Sequence, residues 1–229
     1  MREHARTRTM LVFDVLGTLV DQTGSLERQV ASVTALDGEA VADVVARWLG
    51  FVSVQEKEIL AGRRSFVPSE GLDAEALANL SRAGLISEAE VSHLLDASQR
   101  LSVWPDTLAG MNALSAEHIV TGLSNASRRV LTGLSADSGM RWHGVFSAQE
   151  SGTYKPDPAV YRLALANSPL DAAPPFLIAA HSWDLRAARA AGMRTAYVPR
   201  PNGEPPEAGE RFDIHAVDLA DLAVQLRRR

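Results

Sequence analysis

Five short apolar runs, TMLVFD, HIVTGL, GVFSA, PFLIAA and RTAYV, punctuate this chain, and stretches with helical periodicity lie between most of them: TLAGMNALS, ASRRVLTGLS, DPAVYRLALANS and DLRAARAAG. A brief apolar run bounded by turn residues reads as a buried strand. Apolar positions spaced by three and four read as one face of a helix. Strands that alternate with helices in this way are covered on both faces, which predicts a parallel α/β sheet. Sheets of that kind carry their sites at the carboxyl ends of the strands. The residues that follow each apolar run are therefore the ones to weigh for chemistry.

The stretch from about residue 21 to residue 100 is different. It holds no convincing strand, only amphipathic helical runs: SLERQVASVTAL, EAVADVVARWLGFVSVQEKEILAG, DAEALANLSRAG and SEAEVSHLLDASQRL. This predicts an all-helical cap domain over 21–100, inserted after the first strand of an α/β core made of 1–20 and 101–229. SVWPDTLAG returns the chain to the sheet, with Pro105 near a helix start. RPNGEPPEAGE has too many prolines and glycines for a core element and reads as a surface loop.

Several function classes fall away on composition. The chain has 229 residues, 46% of them hydrophobic and 22% charged, which is enough to bury a substantial core. A formal net charge of −5 argues against nucleic acid and gives no sign of a membrane surface. The terminal arginines read as a solvated helix end. The absence of cysteine removes disulfide and thiolate chemistry and confines metal sites to histidine and carboxylates. MREHARTRT has no apolar segment behind its basic residues, so neither a signal peptide nor a transmembrane helix is expected, and the cytoplasm is the expected compartment. A small-molecule substrate is the expected partner, and a homodimer is left open.

Four strand ends carry polar residues of chemical interest. Asp14 follows the first apolar run, with Thr18 just beyond it. Ser124 and Asn125 follow HIVTGL, Lys155 sits in SGTYKPDP soon after GVFSA, and His181 and Asp184 follow PFLIAA. Strand ends of one parallel sheet can converge on one cleft. A carboxylate nucleophile, hydroxyl and amide groups to orient a substrate anion, and a lysine to offset two neighbouring carboxylates make a coherent set.

That set, in this order, resembles the haloacid dehalogenase (HAD) superfamily. Its Asp-x-x-Gly-Thr motif is Asp14-Val15-Leu16-Gly17-Thr18, its strand-terminal hydroxyl is Ser124, its lysine is Lys155 and its acidic strand end is Asp184. The helical insertion falls where the superfamily places its cap, and LSNAS, YKPDPAVY and AAHSWDLRAARAAGMRTAYVPRP are most similar to the type II 2-haloacid dehalogenases and their close relatives. The resemblance implies a Rossmann-like core and a hydrolase acting through Asp14. The implied reaction is hydrolytic dehalogenation of a short 2-haloacid: Asp14 attacks the carbon bearing halogen, and water positioned by Asp184 and Lys155 hydrolyses the ester. Thr18, Ser124 and Asn125 would orient substrate and nucleophile, with Leu16 and His181 beside them and no cofactor.

Leu16 bears on the choice of reaction. HAD phosphatases usually carry Asp two residues after the nucleophile, because an alkoxide leaving group needs a proton. Leu16 has none to give, whereas halide leaves unaided. His181 stands where the phosphatases' first motif-four Asp would be, which also weakens a magnesium site. In the other direction, type II dehalogenases usually carry Tyr at Leu16, Asn at His181, and an Arg directly after the cap tryptophan. If Trp48 is that tryptophan, the position is Leu49, with Arg47, Arg63 and Arg64 as candidate replacements. A magnesium-dependent small-molecule phosphatase and a HAD-fold binding protein without turnover remain the alternatives. Each site residue also has a structural reading, as turn, helix cap or core. Tyr161 reads equally as a packing or a site residue, Trp48 and Phe51 read as cap core before substrate pocket, and His4, His93, His118, His143 and His215 lack metal-ligand spacing.

Overall fold

The tetrapeptide MLVF forms strand β1 (Met10–Phe13), and every one of its side chains is buried. Its alternation assigns the two faces of the sheet. Leu11 and Phe13 pack with Met111, Leu114, Leu219 and Leu222 in one apolar cluster. Met10 and Val12 pack with Val160, Tyr161, Leu185 and Ala188 in the other. A central strand with two apolar faces requires helices on both sides.

The computed structural model describes residues 8–169 and 172–228. The helices after β1 are α1 (Gln22–Val33), α2 (Gly38–Leu60), α3 (Ser69–Arg82) and α4 (Glu88–Leu94), closed by a 3-10 turn at Ala97–Gln99. The chain then runs through α5 (Thr107–Ser115), β2 (Ile119–Ser124), α6 (Arg128–Ser138), β3 (Gly144–Ser147) and a second 3-10 turn, Ala148–Ser151. It finishes through α7 (Pro158–Ala166), β4 (Phe176–Ala179), α8 (Ser182–Ala190), β5 (Arg194–Tyr197), β6 (Ile214–His215) and α9 (Leu219–Arg227). The α/β class expected from the strand–helix alternation is what forms. The strand order is β3-β2-β1-β4-β5-β6 and each neighbouring pair is parallel. The edge strand β6 has no counterpart among the five apolar runs: it is two residues long, below the length at which a sequence pattern can register.

Helix starts follow local chemistry. The Asp21, Asp37, Ser127, Asp157 and Asp218 side chains each accept a backbone N–H at the start of α1, α2, α6, α7 and α9. Ser87 and Glu90 form a reciprocal capping box on α4. Trp48 is fully buried in the helical segment and donates from Nε1 to Asp73 Oδ1 at 2.7 Å, so it is a packing residue of α2. The helical segment is tied to the sheet by polar contacts. Tyr154 Oη donates to the Val67 carbonyl at 2.6 Å, and the Ser127 N–H donates to Ser69 Oγ at 2.8 Å.

Among the described residues no helix is long and apolar enough to cross a membrane. His4 and the other residues of 1–7, like Arg229, lie outside the described residues, and with them most of the MREHARTRT segment. His143 Nδ1 accepts the Val120 N–H and His215 Nε2 accepts the Phe212 N–H, which are structural hydrogen bonds.

Candidate active site

Strand order reverses between β1 and β4: the connection from β1 leads to one side of the sheet and β4 opens the other. At such a switch point the strand ends diverge and leave a crevice. Asp14 is the residue directly after β1, and its N–H donates to the Ile178 carbonyl of β4 at 2.9 Å, so the carboxylate is fixed at the mouth of that crevice. The turn that follows has Gly17 at φ +80°. A Cβ at Gly17 would lie 2.7 Å from His181 Cε1, so a side chain there is excluded both by backbone conformation and by the imidazole.

Asp14 is saturated with partners. Lys155 Nζ donates to Oδ1 at 3.0 Å, Thr18 Oγ1 donates to Oδ2 at 2.6 Å, and His181 Nδ1 stands 3.4 Å from Oδ2. The Thr18 hydroxyl is held in turn by accepting the Ala180 N–H at 3.0 Å. Lys155 reaches on to Asp184 Oδ2 at 2.7 Å, and Tyr161 Oη donates to Asp184 Oδ1 at 2.5 Å. The Lys155 side chain is 1% exposed and that of Asp184 is 0% exposed, so this is an ion-paired triad inside the protein and not a solvated loop lysine beside a helix cap.

Burial sets the electrostatics and the partners decide its outcome. Burial alone would raise the Asp14 carboxyl, but Lys155, His181 and Thr18 outweigh it and hold Asp14 well below the usual carboxylate range. Asp184, deeper and facing the negative Asp14, is pushed up by burial despite Lys155. Burial works against a charge on Lys155 and on His181. The adjoining carboxylates reverse it, so both are raised and favour the charged form.

A cavity of about 340 Å3 opens onto Asp14. Lys155, Asn125, His181 and Leu16 line it from the sheet side, and Leu49, Val52 and Glu56 of α2 line it from the helical segment. The structure thus brings Asp14, Leu16, Asn125, Lys155 and His181 to one cavity. Thr18 and Asp184 lie one hydrogen bond behind it, through Asp14 and Lys155. Ser124 is set apart: it is fully buried, its Oγ accepts the Ala126 N–H at 3.1 Å, and it is not among the described residues that line the cavity. Leu49 is a cavity residue, while the three arginines weighed as replacements are engaged elsewhere. Arg47 pairs with Asp43, Arg63 with Glu58 and Arg64 with Glu75.

Among the cavity residues that the sequence did not single out, Trp183 and Glu56 stand out. Trp183 lies one position before Asp184 on α8 and faces the cavity. Glu56 lies mid-helix among QEKE, a run that reads as a solvated face. It is instead turned inward, with Oε1 accepting from Asn125 Nδ2 at 3.2 Å. Burial, reinforced by Asp73 and opposed by the Asn125 hydrogen bond and Lys155, pushes its carboxyl up to about 7.

Residues 9–192 match the family described as haloacid dehalogenase-like hydrolase. The (S)-2-haloacid dehalogenase 1 of Pseudomonas sp. (strain CBS-3) is 27% identical over 225 residues, covering 94% of this chain and 96% of that one. The solved structure of the L-2-haloacid dehalogenase PA0810 superposes with a TM-score of 0.87 at 33% identity, covering 97% of this chain and 100% of the other. That of the defluorinating L-2-haloacid dehalogenase Rha0230 gives a TM-score of 0.85 at 30% identity over 96% and 95%. A buried carboxylate directly after the first strand at the switch point, a lysine bridging it to a second carboxylate, an inserted helical segment and a family match over residues 9–192 agree: the chain belongs to the haloacid dehalogenase-like hydrolases.

Proposed function

We propose that this hydrolase removes halogen from a short 2-haloacid through an ester on Asp14. The observation that carries the reading is the Asp14 carboxylate, paired with Lys155 and facing a cavity in which the residue two positions on, Leu16, is apolar. A carboxylate oxygen of Asp14 displaces halide at C2, forming a C–O bond as the carbon–halogen bond breaks. Halide departs with the bonding pair and needs no proton donor. An apolar wall beside the nucleophile favours such a displacement by limiting its hydration. Water then adds to the carbonyl carbon of the Asp14 ester. Lys155, held by Asp184 and Tyr161, positions that water and offsets the charge of the tetrahedral intermediate. Collapse releases the 2-hydroxyacid and restores Asp14. Thr18 and Asn125 orient nucleophile and substrate, and Ser124 supports the turn that carries Asn125. Relatives named as (S)- and L-2-haloacid dehalogenases support this substrate class.

In this reading α1–α4, within 21–100, act as a cap domain on a core of 1–20 and 101–229, and the reaction proceeds in the cytoplasm without a cofactor. The donor set is a poor match for magnesium. Asp184 spends both oxygens on Lys155 and Tyr161, and an ammonium already lies between it and Asp14. Among the described residues no group of three histidine, aspartate or glutamate side chains is placed to hold a metal ion. The test is a panel of haloacids and phosphoesters assayed side by side for released halide and phosphate, with EDTA and with magnesium. Halide release undiminished in EDTA supports the reading. Magnesium-dependent phosphate release without halide release overturns it.

A further inference from the structure

Glu56 lines the cavity with Asp14, yet the reaction as described gives it no task. Its position is held by hydrogen bonding. Asn125 Oδ1 accepts the Lys155 backbone N–H at 2.8 Å, which fixes the orientation of the amide and turns Nδ2 toward Glu56 Oε1. A carboxyl group of α2 is thereby held against the loop after β2, next to the lysine that serves the nucleophile. The groups that face it can be named: Asp73 from α3, Lys155 and Tyr154 from the segment before α7, and Asp14 and His181 as fellow cavity residues.

The rest of the cavity explains why this matters. No arginine lines it among the described residues, and Leu49 stands where the resemblance calls for one. Lys155 is committed to Asp14 and Asp184, and the His181 imidazole, whose charged form is favoured, to Asp14. On the side of α2 and α3 an incoming carboxylate therefore meets Glu56 and Asp73 in place of a guanidinium. Two ionised carboxylates in direct contact, with no cation between them, do not share a poorly hydrated site; one of them takes a proton and donates it to the other.

Resting on the 2-haloacid reading, we infer that Glu56 receives the substrate's carboxylate as a neutral acid, through a carboxyl-to-carboxylate hydrogen bond. The pocket therefore takes up one proton with each anionic ligand. The position of Glu56 near 7, set by burial first and by Asp73, makes that proton available at neutral pH. Above that pH the proton has to be taken from solution, so affinity for a carboxylate falls as pH rises, by about tenfold per pH unit once Glu56 is ionised in the free protein. An amide at this position donates a hydrogen bond at every pH and removes the dependence.

The experiment is calorimetric titration of the full chain with 2-hydroxypropionate, an unreactive carboxylate, between pH 6 and 9. Two buffers of different ionisation enthalpy are used so that protons are counted directly. The expected result is an uptake approaching one proton per ligand above neutral pH, with Kd rising about tenfold per pH unit. Glu56→Gln is expected to show neither. The proton count on the wild type tests the inference even if the variant fails to fold. Binding without proton uptake, equal uptake by wild type and Glu56→Gln, or no carboxylate binding at any pH overturns it. Turnover is not needed, so the two readings fail separately. Proton-linked binding without halide release contradicts the dehalogenase reading alone, and halide release with proton-independent binding contradicts this inference alone.

Discussion

Lys155 Nζ donates to Asp14 Oδ1 at 3.0 Å, joining two residues 141 positions apart in the chain. The same ammonium is 2.7 Å from Asp184, and all three groups are buried. One cation between two carboxylates in low dielectric is strongly interdependent, because removing it leaves like charges facing each other without solvent.

Lys155→Met therefore tests structure and chemistry together. Truncating one member of a buried ion-paired set costs about 3–5 kcal/mol, which urea unfolding measures directly. Halide release is expected to fall below detection, because the variant loses both the partner of Asp14 and the charge that offsets the tetrahedral intermediate. Loss of activity with stability unchanged to within about 1 kcal/mol would show that the three charges are not coupled as the geometry implies.

The depressed Asp14 carboxyl fixes the sign of an acid-side prediction. A group held below its unfolded value is ionised in the folded protein at pH values where an ordinary aspartate, near 3.9, has begun to protonate. Its contribution to stability is present above the unfolded pKa and is lost as pH falls through the lower, folded one. Asp184 is shifted the other way, so the acid limb of kcat/KM is expected to belong to it and not to Asp14. Followed directly by carboxyl 13C NMR, Asp14 is expected to stay ionised from about pH 6 down to about 4, the ordinary aspartate value. An Asp14 resonance that titrates above that value contradicts the assignment.

Much of this was legible in the chain, for identifiable reasons. Asp14, Lys155 and Asp184 follow strands whose apolar character is unmistakable, and a parallel sheet forces its strand ends to one side. The helices of 22–99 were legible because α2 and its neighbours repeat apolar positions at helical spacing. Ser124 sits at a strand end like the others, but rotation of a single residue decides whether a side chain meets the cavity or the loop behind it, and periodicity does not resolve that. Glu56 was hidden for a similar reason: in QEKE, only the packing of α2 against the loop after β2 distinguishes the inward glutamate from Glu58, which pairs with Arg63 on the exposed side. Tyr161 read equally as packing or site. It is both, buried in the core with its hydroxyl on Asp184.

Leu49 lines the cavity, so installing a guanidinium there is informative. A charge-assisted hydrogen bond to the substrate's carboxylate contributes about 1.5–3 kcal/mol, and Glu56 and Asp73 already make this part of the cavity hospitable to a cation. Leu49→Arg is expected to lower KM for 2-chloropropionate by about tenfold to a hundredfold. An unchanged KM in a folded variant would mean that the substrate's carboxylate lies away from α2.

The central claim, that Asp14 forms an ester with the substrate, is tested most directly by a single turnover of 2-chloropropionate in 18O-labelled water with enzyme in excess. Water adds to the Asp14 carbonyl and not to the substrate, so the first hydroxyacid formed is expected to carry an unlabelled hydroxyl oxygen, with the label left in the Asp14 carboxylate. Asp14→Asn, its amide a poor nucleophile, is expected to release no halide under the same conditions. Label entering the hydroxyl group of that first product, with Asp14 unlabelled, would mean that water attacks the substrate directly and would contradict the account.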